Sequence, residues 1–403
     1  MEQNQEEKPR VRALEAIPYE QDGRQTFCLR DPTGESESVL FVSEATMWML
    51  ARLDGTRDLG DLQAEICRAS GEIVPRSTLE ELIARLEEAS FLDSAAFRER
   101  KMRSDEAFAK SRSRPAAFAG TSYEADPQAL RGWIDSLLDR AQPANGEGIR
   151  AAIAPHIDPQ RGARVYASAY RALRGCPASR IVILGICHMG GELPYATIMK
   201  DYETPLGLCP IDRPFLERLH RDLPFDPLDE QRLHRREHSI EFQAVFLRHV
   251  LDGWEGRRIV PILCSFEWQP QDGDASHASR ESWRAAFVER LAGMIDEETL
   301  VVAGVDFAHL GRRFGDAAGN VASRRAEVEA HDRALMDRVA EGDLAGFRSH
   351  FERTRDAFRI CGYPALMTLL EIVPDAKGTV LDYGQSLEET TDSLVSFGAM
   401  VLS

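Results

Sequence analysis

The chain has 403 residues, 43% of them hydrophobic and 29% charged, and a formal net charge of −17. This length and composition predict a globular protein with enough apolar material for two domains. The acidic balance argues against a nucleic-acid binder, because phosphate contacts need a basic face, and no apolar run approaches the roughly 18 residues of a membrane span.

In chain order, the opening "MEQNQEEKPRVRALE" lacks the apolar core of a signal peptide and reads as an acidic, frayed start. Seven cysteines, an odd number without CxxC pairs, suit a reducing compartment better than a disulfide framework, so the expected location is the cytoplasm. Residues 1–100 carry 12 Lys and Arg against 21 Asp and Glu. "TFCLRD" and "ESVLFVS" read as two strands joined by the turn-rich "DPTGE". Three helices are predicted next. "SEATMWMLARLDG" has Ser43 as N-cap, "LGDLQAEICRASG" closes on Gly71, and "RSTLEELIARLEEASFLD" repeats Leu79, Leu82, Ile83 and Leu86 at helical spacing. Two strands and three amphipathic helices outline a small α+β, winged-helix-like domain; a plain helical bundle is the alternative. Through its helix–"LDGTRDLGDL"–helix–"LIARLEEASFLD" order the segment resembles the PqqD-like domains of peptide-modification systems. The charged stretch 101–114, ending at Pro115, reads as a linker, with helix over part of it left open.

From there to residue 403 apolar strands alternate with helical stretches. "AAIA" (151–154), "RIVILG" (180–185), "RIVPIL" (258–263), "TLVVAGV" (299–305), "TVLDY" (379–383) and "SFGAMVL" (396–402) are the expected strands. "PQALRGWIDSLLDRA", "RVYASAYRAL", "IEFQAVFLRHVL" and "RALMDRVAEGD" are expected helices. Such alternation predicts an α/β domain with a parallel or mixed sheet covered by helices on both faces.

Three of these strands finish in metal-capable side chains. "AAIAP" leads to His156 and Asp158, "IVILGIC" to Cys187 and His188, and "LVVAGV" to Asp306 with His309 three residues on. Ligands in open α/β sheets bind just outside the carboxyl ends of strands, so three such endings predict one site. If the "VDFAHLG" turn begins a helix, Asp306 and His309 share a face; a merely capping Asp306 is the plainer reading. In "REHSIEFQAVFL", Glu237, His238 and Glu241 open an apolar helix, and a histidine so placed is more often a cap or core residue than a ligand. Cys361, at the entrance to the helix in "RICGYPALMTLLEIV", is placed where a helix N-terminus favours a thiolate, although a buried small hydrophobe fits equally. Cys28, Cys67, Cys176 and Cys264 read as core cysteines.

Together "RPAAFAGTSYEADPQAL", "APHID", "LGICH", "YETPLGLCPID", "EHSIEFQ", "VDFAHLG", "RICGYPAL" and "LDYGQS" resemble, in order over 114–403, the Memo family in its bacterial branch, the AmmeMemoRadiSam system protein B. The resemblance implies a fold like that of class III extradiol dioxygenases, a central sheet flanked by helices, with a cysteine where those enzymes place a carboxylate. It implies a metal held by His156, His188 and Cys361, iron(II) first and copper or zinc next, with Asp306 and His309 in the same pocket. In that setting Asp306, His309 and His238 are the candidate catalytic residues, for proton transfer or ligand orientation. Asp158-Pro159 stands where many relatives have Gly-Tyr, which removes a tyrosine and brings a carboxylate near the pocket. Three functions stay open: a metal-dependent redox enzyme acting on a small-molecule or peptide substrate, a non-enzymatic metal- or peptide-binding protein, and a peptide carrier for a radical S-adenosylmethionine partner.

Overall fold

The computed structural model describes residues 8–21, 24–142, 146, 148–251, 253–267, 277–316 and 319–403. The chain divides into two compact units, 1–110 with 389–391, and 111–388 with 392–403.

The first unit is α+β. Glu15–Gln21 (β1), Arg24–Arg30 (β2) and Val39–Ser43 (β3) form an antiparallel sheet in that order. Strand β1, which directly follows the expected acidic start, was not among the expected strands: Ile17 is buried opposite Cys28, and Arg30 pairs with Glu15 across the ladder. Residues 1–7 of that start lie outside the described residues. Three helices follow: Glu44–Leu50 (α1), Leu59–Ser70 (α2) and Arg76–Glu88 (α3). Ser43 caps α1 by accepting from the Thr46 amide at 3.2 Å, and Gly71 closes α2 in the left-handed conformation. Leu29, Val42, Leu62, Ile66, Leu86 and Phe91 make the core beneath them. The stretch 101–114, read as a linker with part of it helical, is helical up to Lys110 as the end of Ala95–Lys110 (α4). Its charges fall at i,i+4 spacing, where Lys101–Asp105, Arg103–Glu99 and Lys110–Glu106 pair, and Phe97 and Phe108 bury its apolar edge.

The second unit opens with Ser113–Arg114 (β4), Pro127–Leu138 (α5), Ala151–Ala154 (β5), Pro159–Ala172 (α6) and Arg180–Ile186 (β6). It continues through Tyr195–Thr197 (β7), Asp201–Thr204 (β8), Gly207–Cys209 (β9), Arg213–His220 (α7), His238–Val250 (α8) and Arg258–Cys264 (β10). Then come His277–Ala292 (α9), Thr299–Gly304 (β11), His309–Gly311 (β12), Arg325–Ala340 (α10) and Leu344–Thr354 (α11). Tyr363–Ile372 (α12), Gly378–Glu388 (β13) and Ser393–Leu402 (β14) complete it.

The central sheet runs β12-β14-β5-β11-β6-β10-β7, with β13 on β14. Strands β5, β11, β6 and β10 are parallel, and β7, β12, β13 and β14 pair antiparallel, so the sheet is mixed. Continuous apolar runs such as Ala151–Ala154 and Thr299–Gly304 are buried throughout, as strands covered on both faces must be. Helices α5, α6 and α8 pack together over the sheet as one layer, and α9, α11 and α12 as another. Gly304 lies opposite Ala154 and Ala303 opposite Leu184, so β5, β11 and β6 end level. His156, Asp306 and His188 consequently leave the sheet along one edge.

Candidate metal centre

The polar residues of "EHSIEFQ", at the start of α8, tie the segments of this edge together. Gly185 sits where a Cβ would come within 2.6 Å of Ser239 Oγ, so only glycine lets α8 approach β6 so closely. Ser239 then pins the end of β6, its hydroxyl donating to the Ile186 carbonyl and accepting from the Ile186 amide, both at 3.0 Å. Gln243 Nε2 donates to the Pro155 carbonyl at 2.9 Å, just before His156. Glu241, wholly buried, accepts from the amides of Ala117 (3.0 Å) and Phe118 (2.9 Å), from the Tyr123 hydroxyl and from the Arg114 guanidinium. Arg114 in turn donates to the carbonyls of His234 (2.9 Å) and Glu237 (2.8 Å).

Glu237 orients His188. Its carboxylate accepts from the His188 amide at 3.0 Å, from His188 Nδ1 at 3.0 Å and from the Ser239 amide at 2.9 Å. Burial alone would raise the Glu237 pKa; the His188 ring and the other donors hold it well below the usual carboxylate range. Reciprocally, Glu237 overrides the effect of burial and raises His188. His156 is buried, with Nδ1 at 2.8 Å from the Gly304 carbonyl and its amide donating to Asp306 Oδ1 at 3.0 Å. Burial lowers its pKa. A carbonyl and a carboxylate only accept, so both rings carry their proton on Nδ1 and present a lone pair at Nε2.

Cys361 reaches the same point from the loop before α12. Its Sγ lies 3.4 Å from His156 Nε2 and 3.6 Å from the Asp306 carbonyl. Gly362 permits this approach, since a Cβ there would stand 2.8 Å from the Asp306 carbonyl oxygen and 2.9 Å from Val305 Cβ. Burial first, then the Asp306 carboxylate, push the thiol well above its usual range. The thiolate preference expected from the helix start is thus outweighed by protein charges alone, a balance that a bound cation reverses.

The donor set fits a transition metal. One donor atom each from His156, His188 and Cys361 lie within 4.8 Å of one another. Ligands about 2.0–2.1 Å (nitrogen) and 2.3 Å (sulfur) from one ion stand roughly 3.1–3.6 Å apart, which brackets the Cys361–His156 separation. Two imidazoles and a sulfur favour iron, copper or zinc over magnesium or calcium and leave coordination positions for exogenous ligands.

The other expected residues surround this triad. Asp306 Oδ2 is 3.7 Å from His156 Nε2, beyond a hydrogen bond. The helical turn considered for "VDFAHLG" does not form. His309 opens β12 opposite Val395 because the backbone completes a ladder with β14. Its Nδ1 lies 2.9 Å from the Phe307 carbonyl and 3.1 Å from that of Arg359, leaving Nε2 without a protein partner among the described residues. Burial lowers His309 to about 4. His238 stacks on His188 with ring centres 4.6 Å apart, and burial followed by the neighbouring His188 lowers it to about 3. His188, Glu237 and His238 form a second group with metal-ligand spacing. Asp158 accepts from the Gln160 amide as the N-cap of α6, so the carboxylate expected near the pocket serves the helix. Cys187, at the end of β6, belongs to neither group of ligand atoms.

Sequence reading offered Glu237, with His238, as a residue that orients a ligand imidazole from behind, and Glu237 meets His188 in that way; it gave no role to Gly304, Gly362 or the Arg114–Glu241 pair. Backbone acceptors leave no sequence signal, but an acid directly before His238 and a glycine directly after Cys361 were visible.

A family profile described as "Memo-like protein" matches residues 114–401. The chain is 28% identical over 401 residues to a "MEMO1 family protein" of Aquifex aeolicus, covering 98% of this chain and 99% of that one. It is 29% identical over 347 residues to a "MEMO1 family protein" of Thermus thermophilus (86% and 99%) and 27% identical over 304 residues to the "Protein memo-1 homolog" of Caenorhabditis elegans (72% and 82%). No helix among the described residues is long and apolar enough to cross a membrane.

Proposed function

This chain belongs to the Memo family, and from that premise we propose that it is a metal-dependent redox enzyme whose cleft takes a small-molecule or peptide substrate. Iron(II) is the metal of first choice, and copper or zinc suits the same donors. The observation that carries the reading is the pair of imidazoles whose Nδ1 atoms are already committed, with Cys361 Sγ 3.4 Å from His156 Nε2 and one donor atom of each of the three residues within 4.8 Å of the others.

When bound, the metal would supply Lewis acidity and, for iron or copper, one-electron chemistry with oxygen. The chain's own residues do the rest. Glu237 fixes the ring of His188, and the Gly304 carbonyl fixes that of His156. His309, neutral near pH 7 with Nε2 free of partners among the described residues, is suited to accept a hydrogen bond from a substrate in the cleft. Asp306 holds the His156 backbone, and its charge opposes part of the burial effect on His309. We place the chain with the AmmeMemoRadiSam system protein B branch, in the cytoplasm, beside a radical S-adenosylmethionine protein, with a PqqD-like first unit that engages a peptide.

One observation favours a second reading. A thiolate in place of a carboxylate suits softer metals held without oxygen chemistry, which fits a metal- or peptide-binding adaptor that uses the same cleft. Oxygen uptake by anaerobically purified, iron(II)-loaded protein separates the two. Uptake with a catechol panel or a cell-extract fraction, lost in His309→Ala, is expected of the enzyme. Iron retained with no uptake above the protein-free rate would favour the adaptor.

A further inference from the structure

A second cavity, of about 570 Å³, lies between α6, α10 and β13 and shares no residue with the His–Cys cluster. Arg161, Arg164, Arg325 and Arg333 line it against one lining carboxylate, Glu329, in a chain whose net charge is −17. Two of these cations are already balanced. Arg164 pairs with Asp382 and donates to the Tyr383 carbonyl at 2.8 Å, and Arg333 pairs with Glu329 at 2.8 Å. The other two are held by neutral side chains. Arg161 Nε donates to Ser386 Oγ at 2.9 Å, and Arg325 Nε donates to Gln385 Oε1 at 3.1 Å. Among the described residues neither faces a carboxylate within ion-pair distance, so the cavity keeps an excess of two positive charges.

Arg325 is also held in place from below. Gln385 Nε2 donates to the Arg325 carbonyl at 2.8 Å and to the Tyr383 hydroxyl at 2.9 Å, which fixes its amide. Tyr383 donates at 2.8 Å to Asp332, a wholly buried carboxylate that His331 Nδ1 meets from its other oxygen at 3.2 Å. Each unbalanced guanidinium is therefore gripped through Nε and presents its two terminal nitrogens outward, the edge that meets a carboxylate or phosphate in a bidentate contact. Gly384 and the half-buried Tyr383 ring also line the cavity, with Val165 and Phe397 buried directly beneath Gly384. A cavity of this size holds a small molecule, and pre-ordered side chains lower the entropic cost of binding one.

We propose that this cavity binds a compact organic dianion, its charged end between Arg161 and Arg325 and its remaining part over Gly384 and the Tyr383 ring. A phosphate monoester and a dicarboxylate share that chemistry. The test is isothermal titration of the full chain with phenyl phosphate and, separately, phenylmalonate. Saturable one-site binding of either is expected, and the tighter of the two identifies the source of the charge. Arg161→Ala and Arg325→Ala should each weaken binding by about tenfold or more, while Arg171→Ala, also on α6, should not. Metal content should be the same in all three variants, which separates this site from the metal-centre reading. Failure of both probes to saturate, or affinity that survives both cavity substitutions, would overturn the proposal.

Discussion

Glu241→Gln is expected to destabilise the second unit far more than its small change in shape suggests. Glu241 and Arg114 are both wholly buried, and among the described residues the carboxylate is the one charged partner of the guanidinium. The substitution keeps the volume and one acceptor oxygen but strands a buried cation, which costs about 3–5 kcal/mol. At the low end of about 2–4 °C per kcal/mol for large domains, this lowers the midpoint of thermal unfolding by roughly 6–10 °C. Circular dichroism of the full chain reads it in the transition that carries most of the amplitude. Adding Arg114→Met should recover part of the loss, because the stranded charge goes with it. A Glu241→Gln protein within about 1 kcal/mol of wild type would refute the reasoning, since the ion pair would then be dispensable.

Glu237→Gln should keep the fold but lower metal affinity by about 10–100-fold, measured by competition with a chromogenic chelator, because His188 loses its charged orienting partner; unchanged affinity would remove Glu237 from the account. His309→Ala should retain metal and secondary structure while abolishing turnover or ligand binding, whereas loss of metal would make His309 a ligand. His234 is buried and neutral, with Nδ1 at 2.7 Å from the Tyr202 hydroxyl, and burial lowers it from 6.5 to about 3. Because the unfolded chain takes up that proton first, this contribution is complete above about pH 6.5 and is lost as pH falls toward 3, at up to about 1.4 kcal/mol per pH unit. Chemical denaturation between pH 6 and pH 4.5 should show a shallower loss of stability in His234→Gln than in wild type, and equal slopes would contradict it.

The parallel strands and their ligand-bearing ends were legible because continuous apolar runs such as "AAIA" and "TLVVAGV" have few other uses in a chain this polar. Position in chain order could not reveal which strands are neighbours; β11 lies between β5 and β6 although it is the last of the three. Helix α4 was read only as a linker with some helix in it, since its support is i,i+4 ion pairing along a charged surface, a pattern that also describes a linker. Strand β1 was missed for a related reason, as its one buried apolar residue, Ile17, gives almost no alternation to read. The candidate donors His156 and His188 stood out at strand ends, whereas Cys361 joined them through the family resemblance. The protonation pattern of the two rings did not stand out, because it rests on the Gly304 carbonyl and on Glu237, contacts made only in three dimensions.

Metal content, measured by mass spectrometry on untagged protein, tests the metal centre most directly. Wild type should carry close to one transition-metal ion per chain. His156→Ala, His188→Ala and Cys361→Ser should each lower that by at least about tenfold with an unchanged circular dichroism spectrum. A Cys361→Ser protein with the metal content of wild type would contradict the three-ligand centre.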